Sequence, residues 1–147
     1  GLTAYVTPWG GINLVGMDAR GEVVVTWWVP QFDDEWQQHN LSRTLDHPGM
    51  VGDSLASYVT PWGGTNVAGI DEDGDLVVYW WSPASVDWQV SPLSALVPNA
   101  VLPLRSIEGL ASPTGLISLF GFTDGEEPVR YHWAPGGSWT AELLRGP

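Results

Sequence analysis

The segment YVTPWGGTNVAGIDEDGDLVVYWWSP, from Tyr58 to Pro83, occurs with few changes upstream as YVTPWGGINLVGMDARGEVVVTWWVP, from Tyr5 to Pro30. A weaker third copy, ASPTGLISLFGFTDGEEPVRYHWAP, runs from Ala111 to Pro135. No feature constrains the fold more than this repetition at about 50 residues. Each unit is one supersecondary element that cannot bury its apolar surface alone, so the units must stack into a solenoid, a ring or an array.

The unit predicts four short strands. In the second copy the first is Ser54 to Thr60, ended by Pro61-Trp62-Gly63-Gly64; proline presets φ there and glycine supplies a positive φ. The second strand is Thr65 to Ile70, after which Asp71-Glu72-Asp73-Gly74-Asp75 turns the chain. Leu76 to Trp81 is the third and strongest, holding only apolar, β-branched and aromatic residues. The fourth is drawn from Trp88-Gln89-Val90 with Leu93. A strand that is apolar at every position needs cover on both faces, since successive side chains point opposite ways. Four-stranded antiparallel units stacked face to face are the blades of a β-propeller, and the expected fold class is all-β of that type, with three blades. No copy shows the i, i+3, i+4, i+7 apolar face of a helical repeat.

The units span 2–45, 54–96 and 104–145 within a single domain, 1–147, with connectors at Asp46 to Asp53 and Pro98 to Pro103. The valine and leucines around the second connector pack either across a blade interface or beneath the propeller. In the third unit Thr114 stands for Trp62 and His132 for Trp80, while Pro113, Gly121, Tyr131, Trp133, Pro135 and Trp139 keep the frame. Whatever Trp9 and Trp62 do, the third unit is expected not to do. Three blades are too few for a closed ring, and an open arc exposes two broad apolar faces. Either two copies close a six-bladed homodimer, or the chain is part of a longer ring; its beginning at Gly1 rather than Met fits a processed or excised chain.

The run Asn66-Val67-Ala68-Gly69-Ile70-Asp71, then Gly74, Val78-Tyr79-Trp80-Trp81, Trp88 and Leu93, resembles the blade repeat of bacterial and fungal lectin-like propellers, the Photorhabdus-type fucose-binding lectins among them. The Thr-Pro-Trp-Gly-Gly turn and the longer unit depart from that pattern. The resemblance implies a calcium-independent sugar-binding propeller with Trp-lined pockets between blades, assembled where needed from few-blade chains. An extracellular or cell-surface location goes with that reading.

The candidate ligand-binding residues are Trp9, Asn13, Trp62, Asn66, Trp28 and Trp81. Trp9 and Trp62 sit in turns beside paired glycines. Each is either a platform for the apolar face of a sugar, with Asn13 or Asn66 donating hydrogen bonds, or a wedge packed between blades. Of each strand pair, Trp27-Trp28 and Trp80-Trp81, one member is expected in the interblade core and the other is a candidate pocket wall.

The net charge of -12 and five scattered arginines, with no lysine, disfavour nucleic acid and anionic membranes as partners. With no cysteine, disulfides and zinc-thiolate sites are excluded. Asp71, Asp73 and Asp75 have the spacing of a calcium loop, but the first unit puts Ala19 and Arg20 there, so an ordinary polar turn is expected and no metal or other cofactor. Sialidase chemistry would need converging arginines and an S-x-D-x-G-x-x-W frame, which is absent. His39, His47 and His132 are isolated, and Asp33-Asp34-Glu35 reads as solvated loop charge rather than a glycosidase pair. The sequence thus predicts a non-enzymatic carbohydrate-binding module with shallow interblade sites. The alternative is a structural or protein-interaction scaffold that self-assembles without a small ligand.

Overall fold

A computed structural model describes residues 1–32, 34–101 and 105–147, without the side chain of Asp53. Three four-stranded antiparallel sheets follow one another along the chain, each a simple meander. The first holds β1 (Leu2–Val6), β2 (Ile12–Met17), β3 (Val23–Trp28) and β4 (Gln37–Asn40). A short helix, α1 (Leu41–Leu45), leads to β5 (Met50–Val59), β6 (Thr65–Asp71), β7 (Leu76–Trp81) and β8 (Gln89–Pro92) of the second. After α2 (Leu93–Leu96) come β9 (Arg105–Ala111), β10 (Ile117–Phe122), β11 (Pro128–Trp133) and β12 (Thr140–Leu143). The first strands β1, β5 and β9 pack side by side along the inner edge, so the sheets are three consecutive blades of a β-propeller.

Two kinds of turn repeat because their side chains satisfy backbone donors. Thr60 Oγ1 accepts from Gly64 N at 2.8 Å, and Asn66 Nδ2 donates to Gly64 O at 3.2 Å. Thr7, Gly11 and Asn13 reproduce both bonds in the first blade, at 2.8 and 3.3 Å. In the third blade Ser112 takes the threonine's place, accepting from Leu116 N at 3.0 Å. At the opposite end of the blades, Asp71 Oδ1 accepts from Asp73 N and Asp75 N at 3.0 and 2.9 Å. Asp18 does the same for Arg20 N and Glu22 N. The acidic run is therefore a turn braced by its own first aspartate.

Several boundaries differ from the sequence expectation. The first strand of blade two starts at Met50, not Ser54, inside the expected connector; Met50 N donates to Gly21 O at 2.8 Å, and the β5–β6 register shifts between Met50 and Leu55. Gly52, at φ 68, interrupts the apolar pattern that would have announced this extension. Leu93 does not continue the fourth strand but opens α2, as Leu41 opens α1. The cause is the serine that follows each leucine. Ser42 Oγ accepts from Val23 N at 2.9 Å and Ser94 Oγ from Leu76 N at 2.8 Å, giving a partner to the N–H at the start of β3 or β7. The expected start of the third unit, Leu104, lies outside the described residues, as do Leu102 and Pro103 of the connector. Val97, Ala100 and Val101 pack on the interface of blades two and three, which places that part of the connector across a blade joint.

The core lies between sheets. Tyr5, Val15 and Val25 of blade one meet Leu55, Val67, Val77 and Tyr79 of blade two. The far side of blade two, with Tyr58, Ala68, Leu76 and Val78, meets Ile107, Leu119, Val129 and Tyr131. Each fully buried aliphatic side chain contributes about 1.5–3 kcal/mol. Blade two is covered on both faces, and all four residues Leu76 to Tyr79 are buried. Blade one is not. Leu2, Val6 and Leu14 are 75, 61 and 39 % exposed, whereas Leu55, the repeat equivalent of Leu2, is 7 % exposed and Val67, that of Leu14, fully buried.

Candidate functional site

Both blade joints open into a cleft beside the Thr-Pro-Trp-Gly-Gly turns. The cleft between blades two and three has a volume of about 390 Å³. Its blade-two wall carries Trp62 and Thr60 from the turn, Asn66 from β6, Val78 and Trp80 from β7 and Ser91 from β8. Ile117, Trp133 and Trp139 face them from blade three. None of its lining side chains is ionisable, so what it offers is aromatic surface with hydroxyl and amide groups. The cleft between blades one and two, about 540 Å³, repeats the plan with Trp9, Asn13 and Trp27 against Thr65, Trp81 and Trp88. It adds Phe32, His39 and Asp87.

Trp9 and Trp62 pack between blades, one of the two roles left open by the sequence. Each ring reaches over the next blade: Trp9 meets Trp81 edge-on with centroids 6.0 Å apart, and Trp62 meets Trp133 in the same way at 6.0 Å. Close approach needs a glycine beneath. A Cβ on Gly63 would lie 3.3 Å from Trp9, and one on Gly115 only 2.8 Å from Trp62. Yet 41 % of Trp9 and 45 % of Trp62 remain exposed. Asn13 and Asn66 line their clefts but each commits one amide hydrogen to its own turn. Trp81 touches both clefts. Trp28, its equivalent, lines neither, because the blade that would face it lies beyond blade one.

Of the second walls only Trp81 was legible; Trp88, Trp133 and Trp139 were not. Trp88 and Trp139 immediately precede the fourth strands of their blades, a repeated position that also holds Trp36. The third unit, expected not to do what Trp9 and Trp62 do, has Thr114 in the turn and supplies Trp133 and Trp139 to the smaller cleft from the opposite side.

Burial dominates the ionisation of the nearby phenols. Tyr5 is pushed up to about 12 by burial, partly offset by a hydrogen bond with Thr65. Tyr58 is driven higher by burial alone, and its hydroxyl has no hydrogen-bond partner among the described residues. Among the described arginines, Arg43, Arg105 and Arg130 pair separately with Glu22, Glu126 and Glu142, at 2.7, 3.1 and 3.3 Å, and do not converge. Asp33 of the loop acidic run lies outside the described residues. Among the described residues no three His, Asp or Glu side chains gather as metal ligands, and no helix is long and apolar enough to cross a membrane.

No protein-family model matches the sequence, and no curated protein matches it. Solved structures do match its shape. A fucose lectin from Kordia zhangzhouensis, in complex with methyl-fucoside, superposes with a TM-score of 0.66 at 16 % identity, over 97 % of each chain. AofleA from Arthrobotrys oligospora gives 0.75 at 14 % identity, over 99 % of this chain and 42 % of that one. The six-bladed fungal lectin of Aleuria aurantia gives 0.67 at 14 % identity, over 100 % and 46 %. The chain thus spans less than half the length of the two fungal chains. At these identities the likeness is one of fold, and the fold is a β-propeller, represented here by three consecutive blades.

Proposed function

We propose that the protein is a non-catalytic carbohydrate-binding module that holds saccharides in the shallow clefts between its blades. The observation that carries this reading is the cleft between blades two and three. It presents a partly exposed Trp62, two further tryptophans opposite, and only neutral hydrogen-bonding groups. A sugar ring has an apolar face that stacks on indole and hydroxyls that exchange hydrogen bonds with Thr60, Asn66 and Ser91. The absence of ionisable groups from that lining supports binding over general acid–base chemistry. That solved propellers of similar shape are fucose lectins supports it further.

The same reading includes self-association. Blade one exposes the face that blade two buries, and three blades cover 46 % of a six-bladed chain, so two copies complete a ring. Identical clefts repeated around that ring bind multivalent glycans with avidity although each site is weak. Such a module works where glycans are displayed, at the cell surface or outside the cell.

Calorimetric titration with methyl α-L-fucoside, alongside a glycan array, tests the reading. Saccharide binding that Trp62→Ala weakens is the expected result. A well-folded protein that binds no saccharide at millimolar concentration refutes it and leaves the self-assembling scaffold.

A further inference from the structure

We infer that Asp124 is a site of spontaneous covalent modification, isomerising to isoaspartate at its junction with Gly125, while the same dipeptide in blade two, Asp73-Gly74, stays intact. The inference concerns the end of the blades away from the clefts and does not depend on what the clefts bind. The chain has two Asp-Gly pairs, and each lies in the turn between the second and third strands of its blade. A glycine after an aspartate lacks the side chain that otherwise keeps the amide nitrogen from the preceding carboxyl group. What separates the two pairs is whether that nitrogen is free.

In blades one and two the turn opens with an aspartate whose carboxylate holds the N–H two residues on. Asp18 Oδ1 accepts from Arg20 N at 2.8 Å, and Asp71 Oδ1 from Asp73 N at 3.0 Å. The next residue is a glycine in the left-handed region, Gly21 at φ 80 and Gly74 at φ 86. Its N–H donates to the carbonyl of the same aspartate, at 3.0 and 3.1 Å. The nitrogen that would attack Asp73 is therefore tied down. In blade three Thr123 stands where the other turns have aspartate, Glu126 takes the left-handed place at φ 60, and the glycine comes one residue earlier. Thr123 O accepts from Glu126 N at 3.0 Å and Thr123 Oγ1 from Glu127 N at 3.2 Å, so both acceptors serve later residues. The Gly125 N–H has no hydrogen-bond partner among the described residues, and neither has the Asp124 carboxylate. Both residues are exposed, and the nearest atom to a Cβ on Gly125 would be Thr123 Oγ1, at 3.7 Å.

The reaction needs no co-reactant beyond water. The Gly125 nitrogen attacks the side-chain carbonyl carbon of the protonated Asp124 carboxyl. A C–N bond forms, the carboxyl hydroxyl departs with the amide proton as water, and a succinimide ring closes. Water then adds to one of the ring carbonyls. Addition at the former side-chain carbonyl restores aspartate. Addition at the former backbone carbonyl leaves the chain running through Cβ and sets the α-carboxylate free, which is isoaspartate of unchanged mass. The turn thereby gains a backbone carbon, and the bonds from Glu126 N and Glu127 N to Thr123 lose their spacing, as does the 3.1 Å pair of Arg105 and Glu126. The free α-carboxylate is a substrate for an isoaspartyl methyltransferase of the S-adenosylmethionine class, which moves the sulfonium methyl onto a carboxylate oxygen.

The full chain, folded and in denaturant, would be aged in heavy-oxygen water and its peptides resolved by chromatography and mass spectrometry, as wild type, Thr123→Asp and Gly125→Val. In the folded wild type, isoaspartate carrying heavy oxygen is expected at Asp124, forming about tenfold faster than at Asp73, the factor set by a hydrogen bond that must first break. In denaturant the two sites should react alike, since no turn remains to protect either. Thr123→Asp copies the other blades and returns an acceptor to Gly125 N, so it should slow Asp124 by about the same factor. Gly125→Val should remove both the isoaspartate and the methyl labelling of the aged chain by the methyltransferase. Equal rates at Asp73 and Asp124 in the folded protein overturn the inference, and so does a folded protein in which Asp124 stays intact. A Thr123→Asp chain that isomerises as fast as the wild type overturns the part given to the free N–H.

Discussion

Tyr5 and Tyr58 occupy the same place in successive blades, yet replacing each by phenylalanine should move stability in opposite directions. Tyr5 has Thr65 of the next blade as hydrogen-bond partner. The equivalent of Thr65 in blade three is Ile117, and the buried Tyr58 hydroxyl is left without a partner among the described residues. A net hydrogen bond contributes about 0.5–1.5 kcal/mol, whereas a buried hydroxyl lacking one costs about 1–3 kcal/mol of desolvation. Tyr5→Phe should therefore destabilise by about 1 kcal/mol, and Tyr58→Phe should stabilise by about 1 kcal/mol, since the ring packing on Gly109 is untouched. For a chain of this size each shift moves the melting temperature by about 2–4 °C. Urea unfolding at neutral pH and fixed protein concentration reads both, provided the m-value stays constant. If Tyr58→Phe destabilises as much as Tyr5→Phe, the hydroxyl has a partner and the argument fails. Ile117→Thr offers a cross-check: in that background Tyr58→Phe should lose its advantage.

Three more outcomes follow from the same packing. Alkali should unfold the protein from about pH 10 upward: Tyr5 and Tyr131 are raised to about 12 by burial and Tyr58 higher, so the folded state holds these protons more tightly than the unfolded chain. That stabilisation is complete below the ordinary tyrosine value of 10.0 and lost as pH climbs through the folded values, and melting temperatures flat to pH 11 would contradict it. Gly115→Ala combines a φ of +86 with a Cβ 2.8 Å from Trp62, and should cost about 1–3 kcal/mol more than Gly136→Ala, whose φ is +79 in open space. Denaturant midpoints compare them. Thr60→Val removes the acceptor for Gly64 N and should cost about 1–3 kcal/mol by the same measurement, despite its similar volume.

What could be read from the sequence is what one unit decides alone. Leu76–Trp81 falls where its unbroken apolar run puts it, because no other short element suits such a run. The two serines that bend the chain into α1 and α2 were harder to see, since each acts on a strand-start N–H 18 or 19 residues earlier in the chain. The clefts follow the same division. Trp62 and Asn66 stand out within one unit, but Trp133 and Trp139 join them only once the order and facing of the blades are known.

The third unit shows most clearly how the two levels differ. Compared copy by copy, Thr114, Arg130 and His132 look like decay of the repeat. In three dimensions the changes are sorted by face. Ile107, Ile117, Leu119, Val129 and Tyr131, which meet blade two, are all buried in the core between the blades. Ser118, Arg130, His132 and Glu142 lie together on the other side, joined by contacts of 3.0 to 3.9 Å. Drift without a function would blur both faces of a sheet, since alternate residues of the same strands supply them. Here β11 alternates Val129, Arg130, Tyr131, His132, with the core residues intact and only the outward ones changed. The outer face of blade three thus differs in chemistry from the corresponding faces of blades one and two, while its inner face keeps the common packing.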